Sequence, residues 1–256
     1  MKEIIQASLR QIEEEQGFKI IYACESGSRA WGFPSEDSDY DVRFLYLNPP
    51  EWYLSIDLEH RSDVFERPIT DELDVSGWDL RKALKLLSKS NPPLLEWLNS
   101  PIIYFEVSEI VGRLRELVPD FYSPIACGYH YLHMARGNYR EYLRGDIVWL
   151  KKYFYVLRPL LAIRWIEEKK TVVPMEFEVM VNHLISDTSL KQAFASLLQA
   201  KMDGKELDRG PMIPEISNFI EAELVRLEKQ MPNQIGSKPD IERLNVMFRF
   251  ALETAW

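Results

Sequence analysis

Apolar residues recur with two different rhythms along this 256-residue chain, and the rhythm changes near residue 108. Short runs dominate before it. Ile4, Ile5, Leu9 and Ile12 fall at helical spacing over residues 2–16, with Glu13-Glu14-Glu15 toward solvent, and Gly17 ends the predicted helix. Phe18 to Ala23 is apolar and β-branched, which predicts a first strand. Glu25 to Trp31 turns into a short helix that Gly32-Phe33-Pro34-Ser35 breaks. Asp41 to Leu47 reads as the second strand, closed by Asn48-Pro49-Pro50, and the irregular stretch from Trp52 to Ile69 carries a hairpin. Glu72 to Trp78 alternates as a third strand. It runs into a helix from Asp79 to Lys89 whose Leu80, Ala83, Leu84 and Leu87 share one face. Asn91-Pro92-Pro93 starts another helix, and Ile102-Ile103-Tyr104 is a further short strand.

Beyond residue 108 the alternation disappears. Amphipathic helices are expected over 121–143, 146–168, 175–184, 188–202, 215–230 and 239–253, separated by Pro and Gly. The segment from Gly204 to Pro214, with Lys205, Asp208 and Arg209, reads as a mobile loop. The organisation expected is α+β over 1–107, a small mixed sheet with helices, followed by an all-helical domain over 108–256.

Composition narrows the function classes. A net charge of −9 argues against extended, sequence-independent binding to nucleic acid, yet it is compatible with a local basic patch at an RNA end. No run reaches the roughly 18 apolar residues of a membrane span, and the first residues lack a signal-peptide pattern, so a cytoplasmic location and no membrane partner are expected. Cys24 and Cys127 lack metal-site spacing and sit in apolar surroundings, which suits buried thiols. His60, His130, His133 and His183 are too scattered for zinc.

The chemistry concentrates between residues 27 and 79. Gly27-Ser28, before a short helix, offers a tight turn and backbone N–H groups to a phosphate chain, with Arg29 beside it. Ten residues on, Asp39 and Asp41 at i and i+2 place two carboxylates on one face at the start of an apolar strand. A charge there is costly without a partner, and Mg²⁺ held to substrate phosphates by carboxylates removes the cost. Two-metal phosphoryl chemistry calls for a third carboxylate. Asp74 supplies it in mid-strand, opposite the face of Leu73 and Val75, with Glu72 as a substitute; Asp74 also suits a general base. Arg43 is either a phosphate contact or the residue that steadies a metal-holding carboxylate. Asp79 reads as a helix cap as readily as a catalytic group, and Asn91 reads as a cap.

The words Gly27-Ser28-Arg29-Ala30-Trp31-Gly32, Ser38-Asp39-Tyr40-Asp41-Val42-Arg43 and Leu73-Asp74-Val75-Ser76-Gly77-Trp78-Asp79-Leu80 resemble the DNA polymerase β-like nucleotidyltransferases. With Ser90-Asn91-Pro92-Pro93 and Lys151-Lys152-Tyr153-Phe154-Tyr155-Val156-Leu157-Arg158-Pro159 they resemble, more narrowly, the bacterial YcgL-type predicted nucleotidyltransferases, which include a branch associated with RNA repair. The resemblance spans about residues 20–170. It implies a minimal polymerase β-like palm with a helical C-terminal domain, Mg²⁺ dependence with Mn²⁺ as substitute, and Asp39, Asp41 and Asp74 as metal and catalytic residues. It names no acceptor: RNA ends, proteins and small molecules all serve that superfamily.

On the helix expected over 146–168, Lys151, Tyr155 and Arg158 share a face and Lys152 borders it. This is either a solvated edge with snorkelling stems or a triphosphate contact, and the resemblance favours the contact. Tyr129, Tyr131, Tyr139 and Tyr142 interleave with Arg136, Arg140 and Arg144, as in a base-stacking surface or a half-buried helix face. The activity expected is transfer of a nucleoside monophosphate from a nucleoside triphosphate, ATP foremost, to a hydroxyl with release of pyrophosphate. The rival is a non-catalytic, antitoxin-like nucleotide- or partner-binding module that keeps the fold.

Overall fold

The computed structural model describes residues 1–69, 72–204, 207–230 and 240–256. In chain order the elements are α1 (Lys2–Gln16), β1 (Lys19–Glu25), α2 (Gly27–Ala30), β2 (Tyr40–Leu47), α3 (Pro50–Tyr53), β3 (Val64–Glu66), β4 (Leu73–Asp79), α4 (Leu80–Leu87), α5 (Pro92–Leu98), β5 (Ile103–Glu106) and α6 (Ser108–Phe121). There follow α7 (Pro124–Tyr142), β6 (Ile147–Trp149), α8 (Lys152–Lys169), α9 (Phe177–Leu184), α10 (Thr188–Met202), β7 (Arg209–Pro211), α11 (Pro214–Gln230) and α12 (Ile241–Ala255). Among the described residues no helix is long and apolar enough to cross a membrane.

The chain forms two compact units. One holds Met1–Ala30, Asp39–Tyr122 and Lys238–Trp256; the other holds Trp31–Ser38 and Ser123–Ser237. The division expected at 107/108 therefore falls inside the first unit. Helix α6 packs on β1, and α12 packs on α4 and α6, because the face of the sheet away from α1 needs that cover.

In the first unit five strands form one mixed sheet in the order β3-β4-β2-β1-β5. Strands β2 and β4 run parallel; the other pairs are antiparallel. Alternation sorts the sheet's faces. Tyr40, Val42, Phe44 and Tyr46 of β2, with Leu73 and Val75 of β4, pack with Ile5, Leu9 and Ile12 of α1. The intervening positions, from Asp41 and Asp74 to Leu45 and Leu47, therefore lie on the other face. Gly17 closes α1 in the left-handed conformation at φ 71°, as its position in the sequence predicts.

Asp79 is the N-cap of α4: it accepts hydrogen bonds from the Arg81 N–H (2.8 Å), Asn48 Nδ2 (3.0 Å) and the Tyr53 hydroxyl (2.6 Å). That settles its role in favour of the cap. Asn91 likewise caps α5 through the Leu94 N–H at 3.2 Å. The hairpin expected within residues 52–69 is not formed there: that stretch supplies one strand, β3, whose partner is β4 beyond it.

In the second unit α7 and α8 pack along their lengths. Phe33, Phe154, Phe177 and Phe194 form an aromatic core, with Phe33 stacked on Phe154 at 4.7 Å. The Phe177 N–H donates to the Trp31 carbonyl at 3.0 Å, and Lys201 holds the hydroxyls of Ser35 and Ser38. Two expectations fail here. Residues 147–149 are a strand, β6, paired with β7, so α8 begins only at Lys152. Part of the segment read as a mobile loop is that partner strand; Lys205 lies outside the described residues. Both strands are three residues long, too short for alternation to be read from sequence. Cys24 and Cys127 are buried and form no disulfide.

Gly77 sits opposite Phe44 in the β4–β2 register, and a Cβ there would overlap the Phe44 ring. Gly77→Ala should cost about 1–3 kcal/mol of stability. Urea unfolding should show a lower midpoint at an unchanged slope.

Candidate active site

Parallel pairing in register sets Asp41 of β2 beside Asp74 of β4, so their side chains share the face that α1 does not cover. Arg43, two residues on and on the same face, joins them: its Nη2 donates to Asp41 Oδ1 at 3.0 Å and to Asp74 Oδ2 at 2.7 Å. Its Nη1 donates to the carbonyls of Val42 and Asp74 at 3.1 and 3.0 Å. The Asp41, Asp74 and Arg43 side chains keep 27%, 28% and 17% of their surface exposed, so they are half-buried and reach solvent. Burial pushes the Asp41 carboxyl above its ordinary range, Arg43 opposes this, and the neighbouring Asp74 and Asp39 charges add to the rise. Of Arg43's two expected roles, the geometry supplies the steadying one.

The Gly27-Ser28 turn lies against the same carboxylate. Gly27 has φ 56°, and a Cβ on it would overlap the Asp41 carboxylate. Glycine is required there twice over, by conformation and by space. Ser28 follows in the single turn of α2, and its hydroxyl has no hydrogen-bond partner among the described residues. Arg29 donates from Nε to the Asp39 carbonyl at 3.3 Å and lies over the Tyr40 ring at 3.7 Å. It therefore braces the entry to β2.

Asp39 is exposed and precedes β2 by one residue; its carbonyl is held by Arg29. Glu72, named as a substitute for Asp74, is exposed in a left-handed conformation at φ 65°, and its carbonyl accepts the Tyr40 N–H. Among the described residues no group of three or more His, Cys, Asp and Glu side chains is disposed to hold a metal ion. The structure thus brings together Gly27, Asp41, Arg43 and Asp74; Asp39, one residue before β2, forms no hydrogen bond or ion pair with Arg43 but adds its charge to the field at Asp41.

One buried group, Glu25, has no counterpart among the residues expected from the sequence. Glu25, wholly buried at the end of β1, accepts the Asp41 N–H at 2.8 Å and the Tyr104 hydroxyl on its other oxygen. Burial pushes its carboxyl up, against those hydrogen bonds. The signal was present: a carboxylate closing an apolar strand needs a partner, by the argument applied to Asp41.

In the second unit Lys151 precedes α8 and is exposed, Lys152 opens the helix, and Arg158 is buried rather than solvated. A ladder of rings and cations results. The Lys152 ammonium lies 4.4 Å from the Tyr142 ring and 4.7 Å from that of Tyr155. Tyr155 meets Trp31 edge-on at 5.7 Å, and the Arg158 guanidinium lies 4.9 Å from the Trp31 ring. Of the interleaved tyrosines and arginines over 129–144, Tyr131 is buried, Arg136 pairs with Glu228, and Tyr139 bonds Glu221 with Arg144 near its ring at 5.9 Å.

The model of the family described as the RNA repair pathway DNA polymerase beta family (RlaP) matches residues 1–250. A protein of Bacillus subtilis (strain 168) called "Uncharacterized protein YcgL" is 49% identical over 257 residues, spanning 100% of this chain and 98% of that protein. The crystal structure of a nucleotidyltransferase-like protein from Exiguobacterium sibiricum 255-15 aligns over 97% of this chain and 89% of its own at 12% identity; the TM-score of 0.31 is too low to define a shared fold.

Replacing Arg43 by Met removes the cation between two half-buried carboxylates and should cost about 1–3 kcal/mol at neutral pH. Arg43 stabilises the ionised acids, so its contribution is present above the folded-state Asp41 pKa and is lost as pH falls through that raised value. Denaturant titrations at neutral pH and at pH about 3, below the ordinary carboxylate range, should show the penalty shrinking in acid.

Proposed function

This chain belongs to the RNA repair pathway DNA polymerase beta family, and from that membership and its paired carboxylates we propose a metal-dependent nucleotidyltransferase. The observation that carries the proposal is Asp41 beside Asp74 on parallel strands, with the Gly27-Ser28 turn packed on the Asp41 carboxylate. The donor set suits Mg²⁺, or Mn²⁺ in its place. Both side chains offer hard oxygens, and a residue with a Cβ at position 27 would displace the Asp41 carboxylate. Magnesium is commonly held by one or two carboxylates plus substrate phosphates, so an incomplete protein cage is what this chemistry expects. Asp39 is the third carboxylate of the proposal. When bound, the metal supplies charge neutralisation at the phosphates and acidifies the acceptor hydroxyl.

The chain's own residues do the rest. The backbone and hydroxyl of Ser28 hold phosphate oxygens at the Gly27 turn. Arg43 keeps the two carboxylates in register, and Arg29 keeps Asp39 and Tyr40 in place. Asp74 takes the proton of the acceptor hydroxyl as its oxygen bonds to the α-phosphorus. The bond from that phosphorus to the bridging oxygen breaks, and pyrophosphate leaves. Positioning and charge account for the rate, with no covalent intermediate on the protein. The nucleotide is a nucleoside triphosphate, ATP first. Lys151, Lys152, Tyr155 and Arg158 are proposed as nucleotide contacts, since the ladder offers the aromatic faces and cations that such a ligand takes. The acceptor is an RNA end, a protein or a small molecule.

One observation favours the rival, a non-catalytic binding module: Arg43 already bridges both carboxylates and offsets one of their two charges without an ion. Incubating the chain with each α-³²P-labelled nucleoside triphosphate, Mg²⁺ or Mn²⁺, and total cellular RNA and protein separates the two. Transfer of label is expected, and Asp41→Asn and Asp74→Asn should lower it at least about 10³-fold. Nucleotide binding without transfer to any acceptor would favour the module.

A further inference from the structure

The sequence puts a glutamate where an apolar strand ends, and the structure shows it locked at four points. The Glu25 N–H donates to the Ile102 carbonyl at 2.9 Å, and its carbonyl accepts the Ser100 hydroxyl at 2.6 Å. One carboxylate oxygen takes the Asp41 N–H at 2.8 Å; the other takes the Tyr104 hydroxyl. No part of its surface is exposed. Bonded at both oxygens and closed off from solvent, this carboxylate is not open to a ligand.

Register decides what it can do. Glu25 pairs with Val42 across the β1–β2 ladder, so its side chain is on the face that carries Val42 and Tyr104. The Asp41 side chain is on the opposite face. Glu25 therefore cannot join Asp41 and Asp74 in holding a ligand, and its route to the site is the backbone of Asp41. That backbone is gripped on both sides: the N–H by Glu25, and the carbonyl by the Ser26 N–H at 2.8 Å. The next residue is Gly27, whose Cα lies against the Asp41 carboxylate. A side-chain acceptor serves here where a main-chain one would not. It reaches past the end of β1 and lets the chain leave the sheet at Ser26 to form the phosphate turn, while the Asp41 N–H stays paired.

We propose that Glu25 and Tyr104 are a positioning pair, which fixes the peptide of Asp41 and so sets the aim of its carboxylate relative to the Gly27-Ser28 turn. The pair touches no reacting atom. The inference rests on the reading of Asp41 as a metal-holding carboxylate, and it assigns the buried face of the sheet a part in building the exposed one.

The test uses the full ¹⁵N-labelled chain and three variants, with three readouts: hydrogen exchange at the Asp41 amide, Mn²⁺ affinity by titration, and nucleotidyl transfer. Tyr104→Phe leaves a buried Glu25 oxygen without its donor. It should speed Asp41 amide exchange and lower Mn²⁺ affinity and turnover about 10–100-fold, with little change in nucleotide KM. Glu25→Gln keeps an acceptor for the Asp41 N–H and a group that bonds the Tyr104 hydroxyl, so all readouts should stay within about threefold of the unaltered chain. Glu25→Leu, if it folds, should match or exceed the Tyr104→Phe defect. Folded Tyr104→Phe protein with unchanged Mn²⁺ affinity and turnover would overturn the proposal and leave the pair a strand-end bond only. If the unaltered chain transfers no nucleotide, the enzymatic reading fails on its own, and the amide and Mn²⁺ readouts still decide for or against the pair.

Discussion

Two carboxylates set side by side on parallel strands repel, by on the order of 3 kcal/mol at about 5 Å and an effective dielectric of about 20. A fold that keeps them there needs a cation or a proton. Arg43 meets the demand because a strand repeats its face every second residue, which puts its guanidinium beside Asp41 and within reach of Asp74. At about 3 Å each attraction exceeds the repulsion, on the order of 5 kcal/mol under the same assumptions. The acidic pair is thus stable without an ion yet stays half-open, so a divalent cation could share its oxygens. The same arrangement serves both readings of function, and turnover rather than geometry separates them.

Around that pair the structure works through the backbone. Glu25 and Ser26 fix both polar groups of the Asp41 peptide, and Gly27 turns away so closely that no side chain fits beside the carboxylate. The Gly27-Ser28 turn and the acid-bearing strand are thereby one object. This explains why the Gly-Ser word and the Asp-containing word occur together: each occupies space or completes hydrogen bonds that the other defines.

The eight residues Trp31–Ser38 complicate this economy, because they pack with the second unit although they separate two words of the first. Phe33 inserts into an aromatic core, and Lys201 ties Ser35 to Ser38. Trp31, at the end of the Gly-Ser word, stands between Tyr155 and Arg158 in the ladder. Spacing between motifs is here a matter of packing as much as of chemistry.

Much of this was legible in the chain. Helical spacing in α1 and α4, the strands around Asp41 and Asp74, and the Gly-Ser and Asp words were readable because local periodicity and the cost of a charge in an apolar run are properties of neighbouring residues. What the sequence could not carry was register and cover. Only the pairing of β2 with β4 showed that Asp74, rather than Glu72, sits beside Asp41, and that Arg43 joins the two. The three-residue strands β6 and β7, the burial of Arg158 and the return of α12 to the first unit depend on partners far along the chain. Residue chemistry fixed which groups need a partner; tertiary structure decided which partner each one met, because hydrogen bonds and packing join residues by distance in space rather than by order in the chain.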